Sequence, residues 1–337
     1  MSDLDLVQEL FPDRGADDAT RERVRAAVAA HAVRRSRRFT RRPLVPAVGT
    51  IAVAAAAAVA AVVLLGGTSA TVSASAARVL HQAARAARND PSVATLAPGQ
   101  YLYTKSVDAY ESTTGGTRPD GTTWEYSVLL PTTREIWLDR NGTGWLHETG
   151  GEPVWLSQRD RQLWIAAGRP DLGSGPSDTR LAGAPGTTGQ MTSLDLPSDP
   201  DALYATLKRE AEGNGNGTYQ EMFTLVGDAL RENYTTPAQR AALYEVAARL
   251  PGIELAGRTV DGAGRPALAV GMKNGDNEAR SELLFDPATY ALLGEQTTVL
   301  AGNSNGYPVG TVVGRATYLE QRVVDQAPAS VVKAATH

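Results

Sequence analysis

Apolar and polar positions follow four different rhythms along this chain of 337 residues. In the first, Leu4, Leu6, Val7, Leu10 and Phe11 form a short apolar cluster closed by Pro12. Asp17 or Asp18 then occupies a helix N-cap position. Over residues 19–32, Val24, Ala27, Val28 and His31 recur three and four apart while Arg21, Glu22, Arg23 and Arg25 fill the places between. Two short amphipathic helices are expected there. In the second rhythm, residues 44–65 carry no charge and, apart from Pro46, Gly49 and Thr50, consist of Ala, Val, Ile and Leu. A helix of that length rises about 33 Å, enough to cross a hydrocarbon core of about 30 Å. Many of these residues are alanines, so Val48, Ile51, Val53, Val59, Val62, Val63, Leu64 and Leu65 supply most of the insertion energy, at about −0.3 to −0.6 kcal/mol each.

The third rhythm begins after a Gly, Ser, Thr and Ala linker over 66–75, with a helix over 76–89 that carries Val79, Leu80, Ala83, Ala84 and Ala87 on one side. Strand periods follow at 99–107, 122–130, 134–138 and 144–147, and Asp139-Arg140-Asn141-Gly142 predicts a hairpin turn. Residues 169–190 and 213–217 are loops rich in Gly, Pro, Thr or Asn. Between and after them lie helical patterns at 200–212, 219–233 and 237–250, the first capped by Ser198 or Asp199.

Strands return as the fourth rhythm, at 253–260, 266–272, 281–285, 291–300 and 310–323. Asp261-Gly262-Ala263-Gly264 and Asp286-Pro287-Ala288-Thr289 are turns, the second with proline at the position where its fixed φ is already correct. Strands, then helices, then strands, with tight turns between neighbours, predict an α+β fold over residues 76–337. The expected architecture is a long antiparallel sheet, open to curving into a half-barrel, with helices on one face.

Charge gives the apolar stretch a direction. Residues 1–33 hold 4 Arg and 7 Asp or Glu, whereas Arg34, Arg35, Arg37, Arg38, Arg41 and Arg42 crowd the near side of the stretch without an acid among them. On the far side the first basic residue is Arg78. Positive charge stays in the cytoplasm, so the expected topology is a single-pass cell-membrane protein. Residues 1–43 form a cytoplasmic tail, 44–65 the span and 76–337 an extracytoplasmic domain. The competing reading is a cleaved signal, since Ala74-Ser75-Ala76 fits an A-x-A site and Arg37-Arg38 is a twin-arginine pair, but the apolar run exceeds a usual signal core and a patterned tail precedes it. Anionic lipid attracts arginines at the bilayer surface, which makes the bilayer their expected partner and nucleic acid an unneeded one.

Candidate chemistry is sparse. The chain has no cysteine, and His31, His81, His147 and His337 lie in separate segments, so no metal and no cofactor are expected. Gly302-Asn303-Ser304-Asn305-Gly306 matches G-x-S-x-G, but a strand-like run containing Pro308 follows it where a nucleophile elbow needs a helix. A polar hairpin loop is therefore the expectation, with a serine hydrolase the remote alternative. Trp124, Trp137, Trp145, Trp155 and Trp164 fall within 41 residues. They suit either the lining of an apolar ligand concavity or ordinary cross-strand and core packing.

Taken in order, the tail helix, the Arg cluster, the Ala-rich span and the phrases "PGQYLY", "REIWLDRNGTGW", "LPSDPDALYATL", "LPGIEL", "DGAGRPALAV" and "LLFDPATYALLGEQ" resemble an actinobacterial family of single-pass membrane-anchored proteins. That resemblance implies an anchored outer domain and carries over no catalytic residues. The turn-centred phrase over 286–294 also resembles the half-barrel sheets of the LolA and RseB type, which implies fold only. Two non-enzymatic functions are expected to compete. One is a sensor or regulatory anchor whose residues 1–33 meet a cytoplasmic protein, such as a sigma factor; the other is an outer-face module for a lipid or apolar ligand.

The topology is testable directly. A reporter active only outside the cytoplasm should work when fused after Ala76 and fail after Ala32. Neutral replacement of the six arginines should scramble orientation while leaving membrane association intact. Equal activity at the two fusion points would refute the assignment.

Overall fold

A hairpin of unusual length organises the N-terminal half of the domain. In the computed structural model, which describes residues 73–90, 95–117, 121–173, 175–182, 196–213, 217–275, 278–301 and 306–334, β1 (Tyr101–Thr117) and β2 (Thr123–Leu138) pair antiparallel along their whole length without a register shift. The expected tail helices, Arg34, Arg35, Arg37, Arg38, Arg41 and Arg42, the apolar run at 44–65 and Ser304 lie outside the described residues. Among the described residues no helix is long and apolar enough to cross a membrane.

The sequence pattern divided β2 into two strands, at 122–130 and 134–138, and the structure corrects this to one. Pro131 explains both readings. Proline breaks a ladder only where its missing N–H is required. Here Pro131 falls where the neighbour on one side of β2 changes from β3 (Thr143–Gly150), paired up to Thr132, to β4 (Val154–Trp155), paired at Leu129. Its carbonyl still accepts from the Gly151 amide at 2.7 Å. The β2–β3 turn is the expected one: the Asp139 carboxylate accepts from the amides of Asn141 (2.8 Å) and Thr143 (2.9 Å), and Gly142 takes a φ of 74°.

Ten strands form one antiparallel sheet. After β4 comes α2 (Gln158–Ala166), which follows α1 (Ala74–Arg88) in chain order, and then β5 (Ser177–Ala182). Three helices, α3 (Pro200–Ala211), α4 (Thr218–Glu232) and α5 (Pro237–Ala247), lead to β6 (Glu254–Val260), β7 (Pro266–Lys273), β8 (Ala279–Phe285), β9 (Leu292–Val299), β10 (Val312–Val324) and a short α6 (Ala329–Ala334). The strand order is β5-β3-β2-β1-β10-β9-β8-β7-β6, with β4 beside β2. The half from β6 to β10 is a meander of neighbours in sequence, the other half runs β1-β2-β3 and then skips β4 to reach β5, and the β1–β10 ladder, Tyr101↔Val324 to Tyr110↔Gly314, joins them.

Helix ends follow local chemistry. Asp199 caps α3, accepting from Asp201 and Ala202 ahead of which Pro200 supplies a preset φ, and Thr236 with Gln239 forms a capping box on α5. α1 starts at Ala74, inside the stretch expected to be linker, because Ser73 serves as its N-cap. The apolar sides of α1, α3, α4 and α5 meet in one core, where Leu80, Leu203, Met222 and Leu243 pack against Val270 and Phe285 of the sheet. Residues of the opposite sheet face, Ala267, Ala269 and Leu284, form a separate small cluster. Four helices therefore lie on one face, as expected. α6 does not: its Val331 packs on Tyr103 and Trp137, whose side chains alternate away from the helix layer.

Strand β5 sits in what the composition marked as loop. Its ladder with β3 (Thr143↔Ala182 to Glu148↔Ser177) and the seating of Leu181 beside Leu146 make it a strand, and neither is visible in its own residues. The β8–β9 turn is legible by contrast. Asp286 accepts from the Ala288 and Thr289 amides at 2.9 and 2.7 Å, and these bonds, the Thr289 one foremost, hold its carboxyl below the usual carboxylate range.

Close pairing of β2 and β3 leaves no room at Gly144, where an added Cβ would fall 1.7 Å from the Trp137 carbonyl oxygen. Gly144→Ala should therefore lower stability by about 1–3 kcal/mol, read as a drop in the urea midpoint. A midpoint unchanged from the parent would show that the ladder can relax there.

Candidate functional site

The five tryptophans do not meet in one place. In a strand without a bulge, residues an odd number apart point to opposite faces, and Trp124 and Trp137 lie on β2 in this relation. Trp124 stacks on Tyr126 at 5.7 Å, Tyr126 meets Trp155 of β4 at 6.0 Å, and Trp155 meets Trp164 of α2 at 5.1 Å. Across the sheet, Trp137 pairs with Trp145 in the β2–β3 register, packs on Tyr103 at 5.2 Å, and Trp145 packs on Tyr101 at 5.4 Å. The first group joins the tip of the long hairpin to α2, and the second lies under α6. Tyr103 donates to Glu135 at 2.6 Å, and burial together with that carboxylate pushes the phenol well above its ordinary range.

The sheet face toward the helices turns polar in its middle. Arg134 of β2 binds Asp108 of β1 at 3.0 Å and Glu148 of β3 at 3.1 Å, a cross-strand set whose Asp108 side chain is 7% exposed. Arg231 of α4 bridges Glu295 of β9 and Asp228, which ties the helix layer to the sheet. Each arginine thus has a carboxylate on two sides. On the opposite face Arg280 pairs with Glu254 and Glu282, and Gln296 extends that set by donating to Glu282 at 2.7 Å.

Between the helix layer and the sheet lies a cleft of about 440 Å³, walled by α1 (Ala83, Ala87), α5 (Arg240, Tyr244), the start of β9 (Leu292) and the part of β10 from Tyr318 to Gln321. Arg240 donates through Nη1 to the Gln321 Oε1 at 3.3 Å, and Gln321 donates onward to Thr104 at 3.2 Å. Burial pushes the Tyr244 phenol up to about 12 against the opposing pull of Arg240, so it remains a neutral hydroxyl. A second cleft, of about 580 Å³, lies at the start of α5, but Thr236 and Gln239 on its wall already serve the capping box. Among the described residues no three His, Asp or Glu side chains converge as a metal site.

Of the expected site residues, only the tryptophans can be placed, and none lines the 440 Å³ cleft. Sequence reasoning did not single out Arg240. Its signal was an arginine within a helix pattern whose neighbours Ala241, Ala242 and Leu243 are all apolar.

No protein-family model matches the sequence, and none of the curated proteins matches it. Solved structures do. The chain is similar to the MucA/MucB complex of Pseudomonas aeruginosa, at 15% identity over 76% of this chain and 59% of that chain, with a TM-score of 0.26. It is also similar to MucB, at 14% identity over 76% and 61% with the same TM-score, and to a putative outer membrane lipoprotein-sorting protein domain from Vibrio parahaemolyticus, at 8% identity over 76% and 96% with a TM-score of 0.20. The chain spans about three fifths of the MucB chains it matches. At such TM-scores these matches carry nothing about what this chain binds.

The Asp108–Arg134–Glu148 set gives a stability test. Arg134→Met leaves the buried Asp108 without its arginine, and losing one partner of a buried pair typically costs about 3–5 kcal/mol. The loss should appear in urea unfolding at neutral pH and shrink in the double variant with Asp108→Asn. Equal losses in the single and double variants would show that the pair does not set the cost.

Proposed function

We propose that this chain is a single-pass, non-enzymatic regulatory protein of the cell membrane, with its N-terminus in the cytoplasm. Its extracytoplasmic α+β domain reads a ligand, and residues 1–33 engage a cytoplasmic protein, a sigma factor being the partner class to test first. The observation that carries the reading is the position of α1. It is the first described helix after the apolar stretch and begins within ten residues of Leu65. It packs on α5 and walls the 440 Å³ cleft through Ala83 and Ala87. A ligand seated in that cleft touches the helix that leads from the membrane. It acts as a signal to the extent that it binds one setting of α1 better than another.

A second reading keeps the cleft and makes the tail a mere orienting device. The apolar wall of Ala83, Ala87 and Leu292 favours it, since that wall suits a lipid or other apolar ligand equally well. The tail separates the two.

Residues 1–43 fused to an affinity tag should retain one cytoplasmic protein, and the same segment with Val24→Asp and Val28→Asp should lose it, because the apolar stripe of the second tail helix is then broken. If both segments retain the same proteins, the regulatory reading fails and the binding module stands.

A further inference from the structure

Arg240 breaks a rule that the other buried arginines of this domain keep. Arg134, Arg231, Arg265 and Arg280 are each partly buried, and each has at least one carboxylate: Asp108, Glu295, Asp261 and Glu282 respectively. Taking a guanidinium out of water costs several kcal/mol, and a carboxylate in contact offsets much of that cost. Arg240 is more buried than any of the four, at 5% exposure, and among the described residues it has no ion-pair partner. It also cannot shed its charge, because its pKa lies far above any working pH.

The nitrogens without a carboxylate share one edge. Nη1 is taken by Gln321 and the neutral Tyr244 hydroxyl lies beside the guanidinium as a hydrogen-bond partner, whereas no carboxylate meets the buried Nε and Nη2. Those two nitrogens form one edge of the guanidinium, with two N–H bonds side by side at the spacing of the two oxygens of a carboxylate. A buried guanidinium edge that meets no carboxylate is expensive when no anion fills it. The residue also lines a cleft with space for a small molecule beside it.

Charge around the cleft narrows the occupant. Arg265 also lines it, but Asp261 binds that guanidinium and its Nη2 donates to the carbonyls of Leu293 and Tyr318. Two acids, Asp90 and Glu320, stand on the wall, with Glu320 held by Arg322. With one arginine that meets no carboxylate and two acids on the same wall, the cleft tolerates a monoanion better than a dianion. The remaining wall, Ala83, Ala87 and Leu292, is apolar.

We propose that Arg240 is the receptor for the carboxylate of a small amphipathic organic acid, bound through the Nε and Nη2 edge with the apolar body of the acid along Ala83, Ala87 and Leu292. The acid is then the ligand of the cleft on which the regulatory reading rests. Its carboxylate completes the buried arginine as Asp108 completes Arg134. Its apolar body touches α1.

The purified full-length chain in a non-ionic detergent should be titrated calorimetrically with hexanoate, acetate, hexanamide and inorganic phosphate. Hexanoate should bind more tightly than acetate, hexanamide should not bind measurably, and phosphate should be at least tenfold weaker than hexanoate. Hexanoate should raise the melting temperature of the parent, as any ligand of the folded state does, and leave that of Arg240→Gln unmoved. Ala86→Phe narrows the same cleft from a half-buried position and should weaken hexanoate at least tenfold with the arginine intact. Without ligand, Arg240→Gln should melt no lower than the parent, because it removes an uncompensated charge. Undiminished hexanoate binding in Arg240→Gln, phosphate binding as tight as hexanoate, absence of binding by any of the acids, or a lower melting temperature of unliganded Arg240→Gln would each overturn the proposal. The titration makes no use of residues 1–43, so a failure to find a tail partner leaves it standing, and its own failure leaves the tail experiment intact.

Discussion

The ladder between β1 and β10 is the contact on which the rest of this domain depends. It joins residues more than 200 positions apart, Tyr101 with Val324 and Tyr110 with Gly314, and turns two separate half-sheets into one. Without it each half would present an open edge to other chains. Closing so long a loop costs little more than closing a shorter one, since the entropy grows only with the logarithm of length. The ladder also carries a bulge. The register shift between Lys105 and Ser106 leaves Leu319 of β10 without a partner in β1, and Leu319 lines the 440 Å³ cleft together with its neighbours Tyr318, Glu320 and Gln321. Bulges re-aim side chains in this way beside functional sites. Gln321, which holds Arg240 by its Nη1, owes its position to that extra residue.

Buried polar groups on both faces of the sheet follow one logic. A buried cation is tolerable when a carboxylate meets it, and Arg134, Arg231 and Arg280 each gather two. These sets also fix the geometry of neighbouring elements: Asp108, Arg134 and Glu148 lock three adjacent strands, and Arg231 with Glu295 locks a helix to the sheet. Arg240 is held by neutral groups only, Gln321 and Tyr244. A domain built this way has a well-braced frame around one incomplete site, and α1, which walls that site, is the element nearest in sequence to the expected membrane span. That combination is what the regulatory proposal draws on.

What the residues determined alone was local. The cap at Asp199, the turns at Asp139 and Asp286, the periods of α1, α3, α4 and α5 and of the strands from β6 to β10 were legible because the chemistry that enforces them lies within four residues, whereas the short α2 and α6 were not read. Only the tertiary structure decided the rest. β5 is a strand because β3 lies beside it, and β2 is continuous because its outer neighbour changes at Pro131. The continuity of β2 settles the tryptophans: counting through Pro131 puts Trp124 and Trp137 an odd number of residues apart and on opposite faces, whereas two separate strands leave their relation open. The same limit hid Arg240. Whether an arginine is paired depends on which carboxylates approach it from 26, 64 or more positions away, and residues that distant leave no mark on the local pattern.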